Sequence, residues 1–213
     1  MKTPTDIGKD VDRLIEGHYY SEDYELEWAG KAYVDSLSED ERRVFEAVMV
    51  QRLSSKPGLA DVSVCARLAL PSLTPSLAAL LDKEPHSSAM SRALLAALAQ
   101  CPDERAYAAV ERFMESEQEG EALACLARMN FKRALPHLRW AMQKDHLHNF
   151  CIHALHEYMR HAGMDALLES VRKLVEPNRD VLTPHLRKIL TSKKGSFNPF
   201  SEEELDAVLA ALI

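Results

Sequence analysis

The stretch Leu126–Ala127–Arg128–Met129–Asn130–Phe131–Lys132–Arg133–Ala134–Leu135–Pro136–His137–Leu138–Arg139–Trp140–Ala141–Met142 decides the fold. Leu135, Leu138 and Met142 recur at i, i+3 and i+7, one stripe of a 3.6-residue period, so Ala134 to Gln143 reads as an amphipathic helix. Pro136 suits the first turn of that helix, where a missing N–H has no intrahelical acceptor to leave unpaired. Upstream, Glu121 to Met129 reads as a partner helix, with the small residues Ala124 and Ala127 around Leu126. A helix pair with one apolar stripe cannot bury it alone, and stacking on neighbouring pairs is the physical solution.

Outward from this stretch the same unit recurs. Leu68, Leu98, Leu126 and Leu155 anchor matching segments spaced 30, 28 and 29 residues apart. A second series, Leu77/Leu81, Val110/Met114, Leu138/Met142 and Leu167/Val171, follows at 33, 28 and 29. Small residues at Ala66, Ala69, Ala96, Ala99, Ala124 and Ala127 let adjacent helices approach closely.

The segment Leu126 to Met142 resembles the HEAT-like repeat, in which a Leu-Gly or Leu-Ala end leads into an Ala-Leu-Pro-x-Leu second helix. The resemblance covers residues 59–175. Ala99 and Ala127 stand where that pattern often has Gly, and Asp165 stands where Pro136 stands. It implies an all-α fold, a right-handed α–α superhelix (solenoid) of HEAT-like helix pairs, and is nearly silent on activity. The expected organisation is a single domain over 1–213, with N-terminal capping helices in 1–57, four helix pairs in 58–175 and C-terminal capping helices in 176–213. Ser38 to Glu41 is a capping box ahead of Val44, Phe45, Val48 and Met49, and Asp23 to Ser36 reads as another helix. Ser201 to Glu204, with Phe200 and Leu205 as a staple, opens a last helix bearing Leu205, Val208, Leu209 and Leu212. Residues 192–199 read as a loop, broken by Gly and Pro.

Composition agrees with helices. Of 213 residues only 7 are Gly, Ala and Leu are abundant, and no β-branched cluster alternates with period two. The first ten residues contain no apolar core of a secretory signal. The apolar run Ala93 to Ala99 is too short to span a bilayer, so no membrane partner is expected. Cys65, Cys101, Cys125 and Cys151 are widely spaced and form no CxxC, which predicts free thiols and a reduced, cytoplasmic setting. The net charge of −7 is uneven: residues 1–41 carry 12 acids and 4 bases, whereas residues 132–194 carry 12 bases and 6 acids.

The chemistry-bearing residues are few. On the helix around Leu155, His153, Glu157 and Arg160 share the polar face with His156 at its flank, but two ligands beside an arginine make a poor metal site. The chain has one His156–Glu157 pair, where HEAT-like deoxyhypusine hydroxylases repeat such pairs to hold two irons. Ala69–Leu70, Ala99–Gln100 and Ala127–Arg128 occupy the matching positions. GxSxG, Walker A, GxGxxG and HExxH motifs are absent, so no catalytic residue, metal or cofactor is expected. What remains is a surface. Opposite Leu135, Leu138 and Met142 fall Arg133, His137, Trp140 and Lys144, with Lys83, Arg112 and Lys173 in register in neighbouring units. The expectation is a non-enzymatic module that binds another protein or peptide through this face, as an adaptor or an immunity-type inhibitor. The alternative is a nucleic-acid binder, since HEAT-like DNA glycosylases grip duplex DNA on a basic concave face. Ser116 and Glu169 on the same face, and the acidic balance of the chain, weigh against it.

Overall fold

The computed structural model describes residues 2–20, 25–85, 88–191 and 198–212, with side chains for all of these except 17–20 and 25–29. Among the described residues the chain is helical throughout, without a strand. It divides into two compact units, residues 1–112 and 113–213.

The first unit contains α1 (Pro4–Tyr20), α2 (Glu25–Ser36), α3 (Glu39–Ser54), α4 (Leu59–Leu68), α5 (Thr74–Leu81), α6 (Ala89–Ala99) and α7 (Glu104–Glu111). Helix α1 starts where Thr3 and Asp6 lock together: Thr3 Oγ1 accepts from the Asp6 N–H at 3.3 Å, and Asp6 Oδ2 accepts from the Thr3 N–H at 3.1 Å. Its buried stripe is Ile7, Val11 and Ile15. The predicted helix from Asp23 is α2; Asp23 itself lies outside the described residues. The expected capping box opens α3, with Ser38 Oγ accepting from the Glu41 N–H at 3.4 Å and Glu41 Oε2 accepting from the Ser38 N–H at 3.0 Å. Phe45, Met49 and Leu53 face inward from α3, and Val44 and Val48 are half-buried. Like packs on like: α4 lies against α6, α5 against α7, and α3 against α5. Arg52 ties three helices together, its guanidinium reaching Asp61 of α4 at 3.0 Å and Asp12 of α1 at 2.5 Å.

The second unit contains α8 (Glu119–Met129), α9 (Phe131–Ala141), α10 (His148–Ala162), α11 (Met164–Val175), α12 (Arg179–Thr191) and α13 (Glu202–Ala210). Here α8 packs on α10 and α10 on α12, while α9 packs on α11 and α11 on α13. The C-terminal helices assigned to a cap therefore pack with the same alternation as the pairs before them. Residues 192–197 of the expected loop lie outside the described residues, and α13 opens with the predicted Ser201/Glu204 box.

Both apolar series line the cores. Leu98, Leu126 and Leu155 are buried, as are all eight residues of the second series. Leu68 is only half-buried, because it is the last residue of α4, where Ala69 turns the chain with φ +48°.

Two helix starts differ from the sequence expectation. Helix α9 begins at Phe131 rather than Ala134 because Asn130 caps it, its Oδ1 accepting from the Arg133 N–H at 3.1 Å. Phe131 is buried and stacks on Tyr158 with ring centroids 4.0 Å apart, which fixes the early start. Pro136 consequently sits inside the helix and not in its first turn. Helix α8 begins at Glu119, two residues before Glu121, and its second residue, Gly120, lies under the ring of Phe150 from α10.

Candidate functional site

Helix α9 presents the predicted face. Ala134, Leu135, Leu138, Ala141 and Met142 are buried. On the other side Arg133 and Trp140 are exposed, and His137 and Lys144 are half-buried. Trp140 is 37% exposed, although a large aromatic more often packs inward. The Lys144 ammonium lies 3.5 Å from the centre of its ring, within cation–π range.

Lys144 does more than cover the indole. Its Nζ donates to Glu119 Oε2 at 3.1 Å, and His146 Nε2 pairs with Glu119 Oε1 at 2.5 Å. Glu119 opens α8, where a helix N-terminus favours a negative charge. Partial burial pushes its carboxyl pKa up, but the hydrogen bonds and charges of His146 and Lys144 outweigh this and hold it below the usual carboxylate value. Trp140, Lys144, Glu119 and His146 thus form one connected patch joining α9, α8 and the turn before α10.

Lys173 lies on α11 of the same unit. Its ammonium pairs with Glu169 at 2.5 Å across one helical turn. It also lines a groove of about 580 Å³ whose other walls include Arg172, Glu176, Arg179 and the end of α13. Arg112 closes the first unit and pairs with Asp82, the residue that ends α5. Lys83, beside it in sequence, is exposed. Lys144, Lys173 and Arg112 therefore each hold a carboxylate. The stripe that reads as basic in sequence carries charge compensation at each of these three positions, and such compensation weakens a phosphate-gripping field.

One arginine of α9 acts in a way that its sequence position does not announce. Arg139 donates from Nε to the Leu174 carbonyl at 2.9 Å and from a terminal nitrogen to the Lys173 carbonyl at 2.7 Å. These are among the last carbonyls of α11, which have no acceptor role left inside the helix. A guanidinium there satisfies two of them and sits at the negative end of the helix dipole. The readable signal was the α11 stop itself: Leu174–Val175–Glu176–Pro177 ends a helix that needs donors from elsewhere.

The remaining candidates stand apart from this face. His153, Glu157 and Arg160 are exposed on α10, and His156 packs edge-on to the buried Phe200 at 5.2 Å. Among the described residues no group of three His, Cys, Asp or Glu side chains is placed to hold a metal ion. Cys65, Cys101 and Cys151 are buried, Cys125 partly so, and all four are free thiols. Burial pushes the thiols of Cys65, Cys125 and Cys151 up to about 12, far from the range of a reactive nucleophile. Among the described residues no helix is long and apolar enough to cross a membrane. Comparison with protein-family models, with curated proteins and with solved structures found no match.

Proposed function

We propose that the helix pairs form a HEAT-like solenoid and that its second-helix face receives another protein, with Trp140 as the central anchor. Trp140 carries the reading. It is an exposed indole on a well-packed helix, held by Lys144, which is held in turn by Glu119. Tryptophan is enriched among the few residues that dominate binding energy, and a side chain already fixed in place loses little entropy on docking. Charge compensation at Lys144, Lys173 and Arg112 favours a protein surface over a nucleic-acid backbone as the partner. Arg133 and His137 flank the indole on α9 as rim contacts. The free thiols fit a reduced, cytoplasmic setting. An adaptor or an immunity-type inhibitor would both use such a face.

The test is affinity capture with the full chain as bait, beside W140A and the charge reversal of Arg112, Lys144 and Lys173. Each bait should keep the helical circular-dichroism spectrum. A stoichiometric protein held by the native chain should bind W140A about thirtyfold or more weakly, as expected for a hot-spot aromatic. A partner retained by both variants removes the anchor from this face. Duplex DNA retained at physiological salt and released by higher salt would put the nucleic-acid reading in its place.

A further inference from the structure

We infer that the groove between α11 and the end of α13 is a docking site for an acidic peptide segment, with Arg172 and Arg179 taking its carboxylates. The inference rests on the protein-binding reading above and names the chemistry of the segment bound.

The groove measures about 580 Å³, within the range of clefts that hold ligands. Val175, Ala210 and Ala211 provide small apolar side chains along it, leaving room for an incoming leucine or valine. Its polar walls carry three cations, Arg172, Lys173 and Arg179, against two acids, Glu169 and Glu176. Lys173 and Glu169 satisfy each other at 2.5 Å. That leaves two guanidinium groups and the one carboxylate of Glu176 in the lining. Among the described residues Arg179 donates to the Leu212 carbonyl at 3.4 Å, and Arg172 is exposed. Each guanidinium offers a planar fork of donors that matches a carboxylate in two parallel bonds. Two such forks along an apolar strip fit a segment in which acidic and aliphatic side chains alternate. The apolar strip offers a phosphate dianion nothing and gives aliphatic side chains a place to pack, so a peptide suits the groove better than a nucleic-acid backbone.

The experiment uses the full chain and two labelled peptides, SEELEELS and its neutral counterpart SQQLQQLS, followed by fluorescence anisotropy. SEELEELS should bind, and SQQLQQLS should bind at least about tenfold more weakly. R172A and R179A should each weaken SEELEELS by about tenfold or more, and A211W should block it by filling the groove, all with unchanged circular dichroism. R43A, at an exposed arginine of α3 outside both sites, should leave the peptide affinity unaltered. The peptide titration and the W140A capture are read separately, so either can fail without the other. No binding at millimolar peptide overturns the inference. So does equal affinity in the R172A/R179A double variant, or displacement of the peptide by inorganic phosphate at equal concentration.

Discussion

Replacing Gly120 by alanine should destabilise the protein even though alanine is the better helix former. A Cβ at this position would lie 2.3, 2.5 and 2.6 Å from three ring atoms of Phe150, where carbon contacts ordinarily begin near about 3.5 Å. The ring would have to withdraw by roughly 1 Å, either by leaving its rotamer or by pushing α10 off α8. Overpacking of this kind costs about 1–3 kcal/mol. The helix-propensity gain of Gly to Ala is at most about 1 kcal/mol, and Gly120 occupies the second position of α8, where less of it is realised. The net expectation is a loss of about 1–2 kcal/mol, or roughly 2–8 °C in Tm for a chain of this size. Urea denaturation followed at 222 nm reads it directly, with an unchanged m-value showing that only stability moved. The decisive control is Phe150→Ala. In that background Gly120→Ala has no ring to meet and should be neutral or mildly stabilising, giving a coupling of about 1–3 kcal/mol between the two positions. Gly120 is not among the positive-φ positions, so backbone strain does not confound the cycle. An equal cost of Gly120→Ala with and without the Phe150 ring would refute the reasoning.

Three further outcomes follow from local geometry. Ala69→Gly should stabilise the chain by about 0.5–1 kcal/mol, because Ala69 holds φ +48° at the end of α4, whereas Ala127→Gly, inside α8, should cost about 1 kcal/mol; paired denaturation curves compare them. Arg139→Ala should cost about 1–2 kcal/mol by unpairing the Lys173 and Leu174 carbonyls. Arg139→Lys, which keeps the charge and loses the fork, should recover less than half of that in the same assay. The Glu41 carboxyl is held down at about 2, first by the Lys2 backbone N–H and then by the Ser38 hydroxyl and N–H. A depressed folded-state pKa means that its contribution is complete above the ordinary value of 4.5 and is lost as pH falls toward 2. Carbon-detected NMR titration should place the Glu41 midpoint near the lower value, and Ser38→Ala should move it upward.

Helix pairing was legible because it is written locally: Leu135, Leu138 and Met142 sit within two turns, and the repeat multiplies that signal. Starts were harder where two local signals competed. Asn130 and Pro136 both mark a beginning, and the cap prevailed because Phe131 also had a ring, that of Tyr158, to stack on. Helix α1 lies outside the helices read from the sequence above, although Thr3, Pro4 and Asp6 mark a start and Ile7, Val11 and Ile15 follow at four-residue spacing. The surface was legible only in part. Facing fixed the positions of Arg133, Trp140 and Lys144, yet the partners that set their charge come from afar: Glu119 lies 25 residues from Lys144, and Asp82 lies 30 from Arg112. Helical period says which side a residue takes and nothing about what a neighbouring helix brings to it. The α11–α13 groove is of the same kind, since Arg172 and Ala211 meet only through packing.

The placement of the cysteines has a practical consequence. Each unit contains two: Cys65 and Cys101 in the first, Cys125 and Cys151 in the second. Cys65 and Cys151 are buried and Cys125 partly so, and burial pushes all three thiols up to about 12, so they are shielded from thiol reagents while their helices stay closed. The native chain is thus already instrumented. A pulse of maleimide, read peptide by peptide in a mass spectrometer, records which half has opened and when, and so tells whether the molecule breathes as one body or as two.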